Sequence, residues 1–279
     1  MQSIQKRCCI FLGGLLLILS LLLSSVNFQS QAQSERSWAP LGVNRVALWS
    51  FSPNYSEDGL FFVATNATEK MSLRGVFRSD DMGDTWADSS EGLEPKKRAY
   101  YADLEFSPTF AEDKTVWLWG HKTGLGRQEA FGGGWESTDG GLTWVELDYK
   151  GFPFREMTQR VNQDILGVVV SPNINEDGLL IAATAGEGVY QSKDKGRNWE
   201  LLSSVKDVTN IFAPNTFPEE PFLALPTSGS QVMISTDGGK TFEERGNGLP
   251  VNMTSVREVA FSENFANDRK IFCSGPQGV

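Results

Sequence analysis

The chain has 279 residues, with 25 Lys plus Arg against 35 Asp plus Glu, a formal net charge of −10 and a single histidine. That acidic balance argues against nucleic acid and anionic membrane surfaces as partners, because both carry charge of the same sign. One imidazole excludes a multi-histidine metal cluster, and it excludes a Ser/His/Asp triad built on any residue but His121.

Met1 to Ala32 reads as a secretory signal. Lys6 and Arg7 form a basic n-region, Cys8 to Leu23 is almost uninterrupted in its apolar character, and Ser30-Gln31-Ala32 places small residues at −3 and −1 of a signal-peptidase site. Extended to Val26, the apolar run could instead stay as an uncleaved anchor, the one case in which a membrane becomes a neighbour. Cleavage leaves 33–279 as one domain of 247 residues with 23 basic against 35 acidic side chains, a net charge of −12. Cys273 is then the sole cysteine, so no internal disulfide can form and stability has to come from packing.

From there the chain repeats one phrase of four short β-type runs. Val46 to Phe51 predicts a first strand, Asp58-Gly59 a turn, Leu60 to Thr65 a second strand, and Gly75 to Arg78 a third. SDDMGDTW at Ser79 to Trp86 then turns the chain into a fourth strand from Thr85 onward, and no helical period is visible. The opening part, FSPNYSEDGLFFVAT at Phe51 to Thr65, returns at Phe106 to Gly120, Val170 to Thr184 and Phe261 to Gly275, with a diverged copy from Phe212 to Leu225. Each clear copy carries an apolar residue three places after its Ser (Tyr55, Phe110, Ile174, Phe265) and an Asp six places after it (Asp58, Asp113, Asp177, Asp268). The eight-residue turn alternates with this phrase, at spacings of 58, 55 and 43 residues. Its fixed positions are Ser79, Asp81, Gly83 and Trp86; Ser137, Asp139, Gly141 and Trp144; Ser192, Asp194, Gly196 and Trp199; and Ser235, Asp237, Gly239 and Phe242. The Asp accepts hydrogen bonds from amides of its own turn, the Gly takes a positive φ, and the aromatic anchors the next strand. Insertions at Asn66 to Arg74, His121 to Gly134 and Lys150 to Arg160 enlarge the first two units.

This turn resembles the Asp-box, or BNR, repeat of sialidases, sortilin-type receptors, xyloglucanase-type glycoside hydrolases and the photosystem II assembly factor family. The resemblance implies an all-β fold, a β-propeller of four-stranded antiparallel blades with about five present, in which the sixteen box positions are structural and lie away from any active site. Related propellers have six or more blades, so a truncated larger propeller is expected. The competing expectation is that Ser37 to Gly42, which resembles Thr241 to Pro250, supplies an outer strand that closes five.

Catalytic patterns are sparse. The resemblance to sialidases would require an Arg-Ile-Pro element, and Arg45-Val46-Ala47 and Phe154 to Met157 both lack the Pro. A two-carboxylate glycosidase needs an acid and a base or nucleophile about 5 to 9.5 Å apart. Asp103 and Glu258 each fall four residues before the Ser of the opening phrase, on first strands that line the channel, with Glu105 and Asp164 nearby in sequence. Leu48 and Gly167 take the same place in two other units, which favours solvated channel acids over a conserved catalytic geometry in each unit. The turns lack the alternating ligands of an EF-hand, and Gly132-Gly133-Gly134 opens no helix, so neither a metal nor a cofactor is expected. His121 reads as part of a surface loop, and Trp117 and Trp119, alternating with Val116 and Leu118, read as core. The functional expectation is a secreted, non-catalytic binding or scaffolding module whose protein or carbohydrate partner meets the channel mouth or the inserted loops. A glycosidase and a photosystem II assembly factor-like protein are the alternatives, although the Gly-Trp-rich second-strand phrases of the latter family are absent. N-terminal sequencing of secreted protein is expected to begin at Gln33; an intact Met1 would show that the apolar run is retained.

Overall fold

The computed structural model describes residues 46–65, 75–93, 98–123, 130–148, 150–151, 165–186, 188–229, 231–246, 249 and 255–275. The secretory segment, the insertion at Asn66 to Arg74, residues 152–160 of the third insertion and Asp164 lie outside them. Five antiparallel sheets follow one another along the chain. Sheet one is β1 (Val46–Phe51), β2 (Phe61–Thr65), β3 (Gly75–Ser79) and β4 (Ala87–Asp88). Sheet two is β5 (Arg98–Phe106), β6 (Val116–Thr123), β7 (Ala130–Ser137) and β8 (Val145–Glu146). Sheet three is β9 (Ile165–Val170), β10 (Leu180–Thr184), β11 (Gly188–Ser192) and β12 (Glu200–Ser203). Sheet four has β13 (Leu223–Pro226), β14 (Val232–Ser235) and β15 (Glu243–Arg245), with isolated bridges Val208↔Thr227 and Phe212↔Ala224 in place of a first strand. Sheet five contributes β16 (Glu258–Phe261) and β17 (Ile271–Ser274).

Alternation along each strand sends side chains to two faces, and sheets two, three and four each bury one face on the sheet before and the other on the sheet after. Leu60, Phe62, Ala64 and Val76 of sheet one pack against Leu104, Phe106, Phe110, Leu118 and Trp144 of sheet two. Trp117 and Trp119, on the other face of β6, are fully buried against Ile165, Ile174, Leu180 and Trp199 of sheet three, so they are core as expected. First strands lie side by side, β1 beside β5 and β5 beside β9, and among the described residues no comparable packing joins sheet one to sheet five.

Four sequence expectations change in the structure. Each clear opening phrase contains one helical turn, α1 (Tyr55–Asp58), α2 (Phe110–Asp113), α3 (Ile174–Asp177) and α4 (Phe265–Asp268), too short for a period to show in sequence. A left-handed residue, Gly59, Lys114, Gly178 or Arg269, ends each turn. The phrase's Ser hydroxyl donates to its Asp (Ser52 to Asp58, 2.6 Å), and the second carboxylate oxygen accepts the amide two residues on (Leu60 N, 2.9 Å), so the turn is locked internally. Fourth strands are reduced to two residues in sheets one and two and begin after the aromatic, not at the Thr. Trp144 and Trp199 are buried anchors, whereas Trp86 and Phe242 are only half-buried. His121 belongs to β6, paired with Tyr100 and Gly132, so the second insertion is in part a lengthened hairpin and not a surface loop. Its glycines make room for indoles, since a Cβ on Gly133 or Gly134 would lie 2.5 Å from the ring of Trp135 or Trp119.

Straps between fourth and first strands tie neighbouring sheets. Glu91 C=O accepts Trp144 N–H at 2.8 Å and Ser89 C=O accepts the Trp144 indole N–H at 2.7 Å. One junction later, Lys150 C=O accepts Trp199 N–H at 2.8 Å. Gly92 (φ 86°) and Gly151 (φ 90°) lie so close to the clamped tryptophan that a Cβ would sit 1.9 and 1.8 Å from its carbonyl oxygen. Gly92→Ala should therefore cost on the order of 1 to 3 kcal/mol and lower the thermal midpoint by several degrees, a loss that calorimetry would read.

Candidate functional site

The candidate acids sit at a register irregularity that recurs in the first strands. Val46↔Thr65 with Ser50↔Phe62, Tyr101↔Gly120 with Glu105↔Trp117, and Ile165↔Thr184 with Val169↔Ile181 each set four steps against three, which is a one-residue bulge. The bridges Val208↔Thr227 and Phe212↔Ala224 keep the same count, so the diverged unit aligns by structure one residue away from its sequence match. Leu48, Asp103, Gly167, Asn210 and Glu258 then become equivalent. Asn210 is the member sequence reasoning missed, because divergence of the phrase hid the offset.

Asp103 is tied to backbone. Its Oδ1 accepts Leu104 N–H at 3.0 Å and its Oδ2 accepts Val168 N–H of sheet three at 2.6 Å, so the side chain joins two first strands. Asn210 Oδ1 accepts Ile211 N–H at 2.8 Å and lies where a Cβ on Gly167 would be 1.9 Å away, which explains the glycine. Glu105 lies two residues further along β5. Desolvation raises the Asp103 carboxyl to about 6 against the hydrogen bonds that lower it, and pushes Glu105 well above the ordinary range, with the Asp103 charge adding to the rise. Glu258 is exposed on sheet five with no hydrogen bond or ion pair to that pair among the described residues, and Asp164 lies outside them. Of the three described candidates, the structure places Asp103 and Glu105 on one strand and Glu258 on another sheet.

The aspartates of the four turns are spent within their turns. Each Ser hydroxyl accepts the Gly N–H at 2.8 to 2.9 Å and donates to the Asp at 2.7 to 2.8 Å. The same carboxylate takes the backbone N–H of the seventh residue and, on its other oxygen, that residue's side chain: Thr85, Thr143 and Thr241 hydroxyls at 2.5 to 2.6 Å and the Asn198 amide at 2.5 Å. These seventh residues were legible as three Thr and one Asn, yet escaped notice because two residue types share the task. Hydrogen bonds from Thr85 and Ser79 hold Asp81 at about 2, and at Asp237 the bonds from Thr241 and Ser235 outweigh desolvation with the same result.

A cleft of about 280 Å³ opens between sheets one and two, lined by Asp58, Arg78, Asp80, Phe110, Lys114 and Asp139. At the next junction the residue equivalent to Arg78 is Glu136, which Arg197 of sheet three bridges at 3.1 Å. Arg78 instead pairs at 3.4 Å with the exposed Asp80 of its own sheet, so no ion pair of this kind crosses the cleft. Sequence reading did not find it, because the cleft is formed by two separate units. Among the described residues no cluster of His, Cys, Asp and Glu is placed to hold a metal ion.

No protein-family model and no curated protein matches the chain. In fold it is similar to a GH74 xyloglucanase from Xanthomonas campestris, with 18% identity and a TM-score of 0.56, over 82% of this chain and 34% of that one. It is similar to YCF48 from Cyanidioschyzon merolae, with 15% identity and a TM-score of 0.56, over 86% and 67% of the two chains. It also resembles the extracellular domain of a hybrid two-component system from B. thetaiotaomicron, with 12% identity and a TM-score of 0.52, over 87% and 27%. The chain thus spans about a third of the xyloglucanase. At these identities the likeness concerns fold, and the sheets are blades of a β-propeller type in an open row.

The carboxyls give stability a two-sided pH dependence. Asp103 has a folded value above that of a free Asp, so its contribution is complete below about 4 and is lost as pH rises through about 6, with Glu105 extending the loss upward. Asp81 and Asp237 have depressed values, so theirs is present above about 4 and is lost as pH falls towards 2. Thermal midpoints should peak near pH 4 to 5. Glu105→Gln, which removes a carboxyl held well above its ordinary range, should flatten the alkaline side and leave the acid side unchanged.

Proposed function

We propose that the protein is an exported Asp-box propeller acting as a non-catalytic binding or scaffolding module. The reading rests on Asp103, both of whose carboxylate oxygens accept backbone amides, so attack on a sugar or protonation of a leaving group would first require the junction between sheets two and three to open. The Asp-box assignment is supported by the four identical Ser–Asp–Gly hydrogen-bond sets, and export by the character of residues 1–32. For a protein or carbohydrate partner, the cleft beside Arg78 and Lys114 is a second candidate surface besides the channel mouth.

Similarity of fold to a xyloglucanase keeps a hydrolase as the second reading, with the exposed Glu258 as its free carboxylate. Likeness to YCF48 similarly supports a scaffold of the assembly-factor kind. Aryl glycosides and plant and bacterial polysaccharides, incubated with the wild-type protein, are expected to show no reducing-end release. Turnover that disappears in Asp103→Asn or Glu258→Gln would replace the binding role with a hydrolytic one. Under the binding reading, Asp103→Asn should lower the thermal midpoint while leaving ligand affinity unchanged, which titration calorimetry on any captured ligand would show.

A further inference from the structure

Side chains in and beside the corners and opening phrases reach across the later junctions. Between sheets two and three, Asn175 Nδ2 donates to Thr109 and Asp113 at 2.7 and 3.1 Å, Lys195 Nζ donates to Asn175 at 2.6 Å, and Arg197 pairs with Glu136 at 3.1 Å. Asn173 reaches Glu219 at 2.9 Å between sheets three and four, and Arg269 reaches both carboxylate oxygens of Glu220 at 2.7 and 2.8 Å between sheets four and five. Between sheets one and two, the places of Asn175, Lys195 and Arg197 are held by Ala111, Gly140 and Leu142. The alignment is fixed by the corner amides, since Gly140 N–H bonds Lys114 C=O as Lys195 N–H bonds Gly178 C=O. None of the three replacements carries a polar side-chain atom, and the cleft of about 280 Å³ opens at that junction.

Two cations line the cleft without the anion that the other junctions supply. Arg78 stands where sheet two has Glu136, so the charge is reversed, yet Leu142 offers no carboxylate where Arg197 offers a guanidinium. The Arg78 Nε is buried and reaches no acceptor among the described residues, and its Nη2 meets only the exposed Asp80 at 3.4 Å. Lys114 closes its helical turn in the place of Arg269 and rests over the Phe110 ring at 5.2 Å. Asp58, which precedes Gly59 as Glu220 precedes Pro221, has its two oxygens taken by Ser52 and the Leu60 amide. Asp139 accepts four hydrogen bonds from its own corner. A buried guanidinium donor left unpaired is costly, so the cleft lacks a carboxylate beside Arg78. A bare anion there would face the charges of Asp58, Asp80 and Asp139, whereas an anion on a hydroxylated ring brings donors for their remaining lone pairs. We propose that the cleft binds a sugar acid, one uronate residue, with its carboxylate on Arg78 and Lys114 and its hydroxyls donating to Asp80 and Asp139. Leu60 and Phe110 supply the apolar floor for the ring, and the volume, at the lower end for ligand pockets, suits a single residue. This inference deepens the binding role proposed above and rests on it.

The test is titration calorimetry at low ionic strength with glucuronate, galacturonate and trigalacturonate, against glucose and acetate. The uronates are expected to bind at least about ten-fold more tightly than glucose, which lacks the charge, and than acetate, which lacks the hydroxyls. Leu142→Glu, at a position 58% exposed, places the missing carboxylate beside Arg78 from within the chain. It is expected to weaken uronate binding at least about ten-fold while the thermal midpoint holds or rises, and Arg78→Met to weaken it as much by removing the donor. Uronates that bind no better than glucose overturn the proposal, and so does uronate binding that Leu142→Glu leaves unchanged. Acetate that binds as tightly as the uronates overturns it as well, since the cleft then takes any small anion. These outcomes bear on the cleft alone, because the non-catalytic binding role is decided separately by the absence of turnover.

Discussion

A serine hydroxyl that accepts a glycine amide while donating to an aspartate holds each corner of this molecule, and the rest follows from its rigidity. Within eight residues the carboxylate satisfies its own turn, so the corner needs nothing from elsewhere in the chain and can be repeated wherever the sequence repeats. It fixes the direction in which the aromatic leaves the turn. At Trp144 and Trp199 the aromatic residue also donates its backbone N–H to the strap from the sheet before. The fourth residue of the corner also donates to the residue that closes the helical turn, as Gly140 N–H does to Lys114 C=O at 2.9 Å, so both motifs of a unit form one bonded frame.

Between frames the sheets are joined by apolar burial, which has no direction of its own, and the glycines set how closely the faces approach. A Cβ on Gly141 would lie 2.3 Å from the Phe62 ring of the preceding sheet, so this glycine allows both the positive φ of its corner and contact with the neighbour. Each sheet therefore depends on the sheets beside it more than on distant ones, as in other repeat architectures.

Carboxylates follow the same logic. The one-residue bulge turns a side chain of each first strand towards the neighbouring first strand, and what that side chain does depends on its identity. At Asp103 it bonds the next strand's amide, at Gly167 it is absent to admit Asn210, and at Glu258 it stays in solvent. A carboxylate committed to structural amides on both oxygens is organised to fasten two blades. The acidity of the chain thus separates into fixed acids in corners and junctions and free acids at the surface.

The sequence by itself determined the unit. Repeated spacing of Ser, Asp, Gly and an aromatic specified the strands and the corners, because these arise from interactions within about fifty residues, and the apolar alternation of β6 marked Trp117 and Trp119 as core. The four-residue helical turns were hidden by their brevity, and the seventh-position Thr and Asn by their chemical interchange. Only the tertiary structure decided that Asn210 belongs with Asp103, that Asp103 bonds an amide of the next sheet, and that Arg78 lines a cleft with no ion-pair partner across it among the described residues. Each of those depends on a register shift or on contact between units. The repeat dictates what every unit looks like, whereas packing settles which side chains of neighbouring units meet.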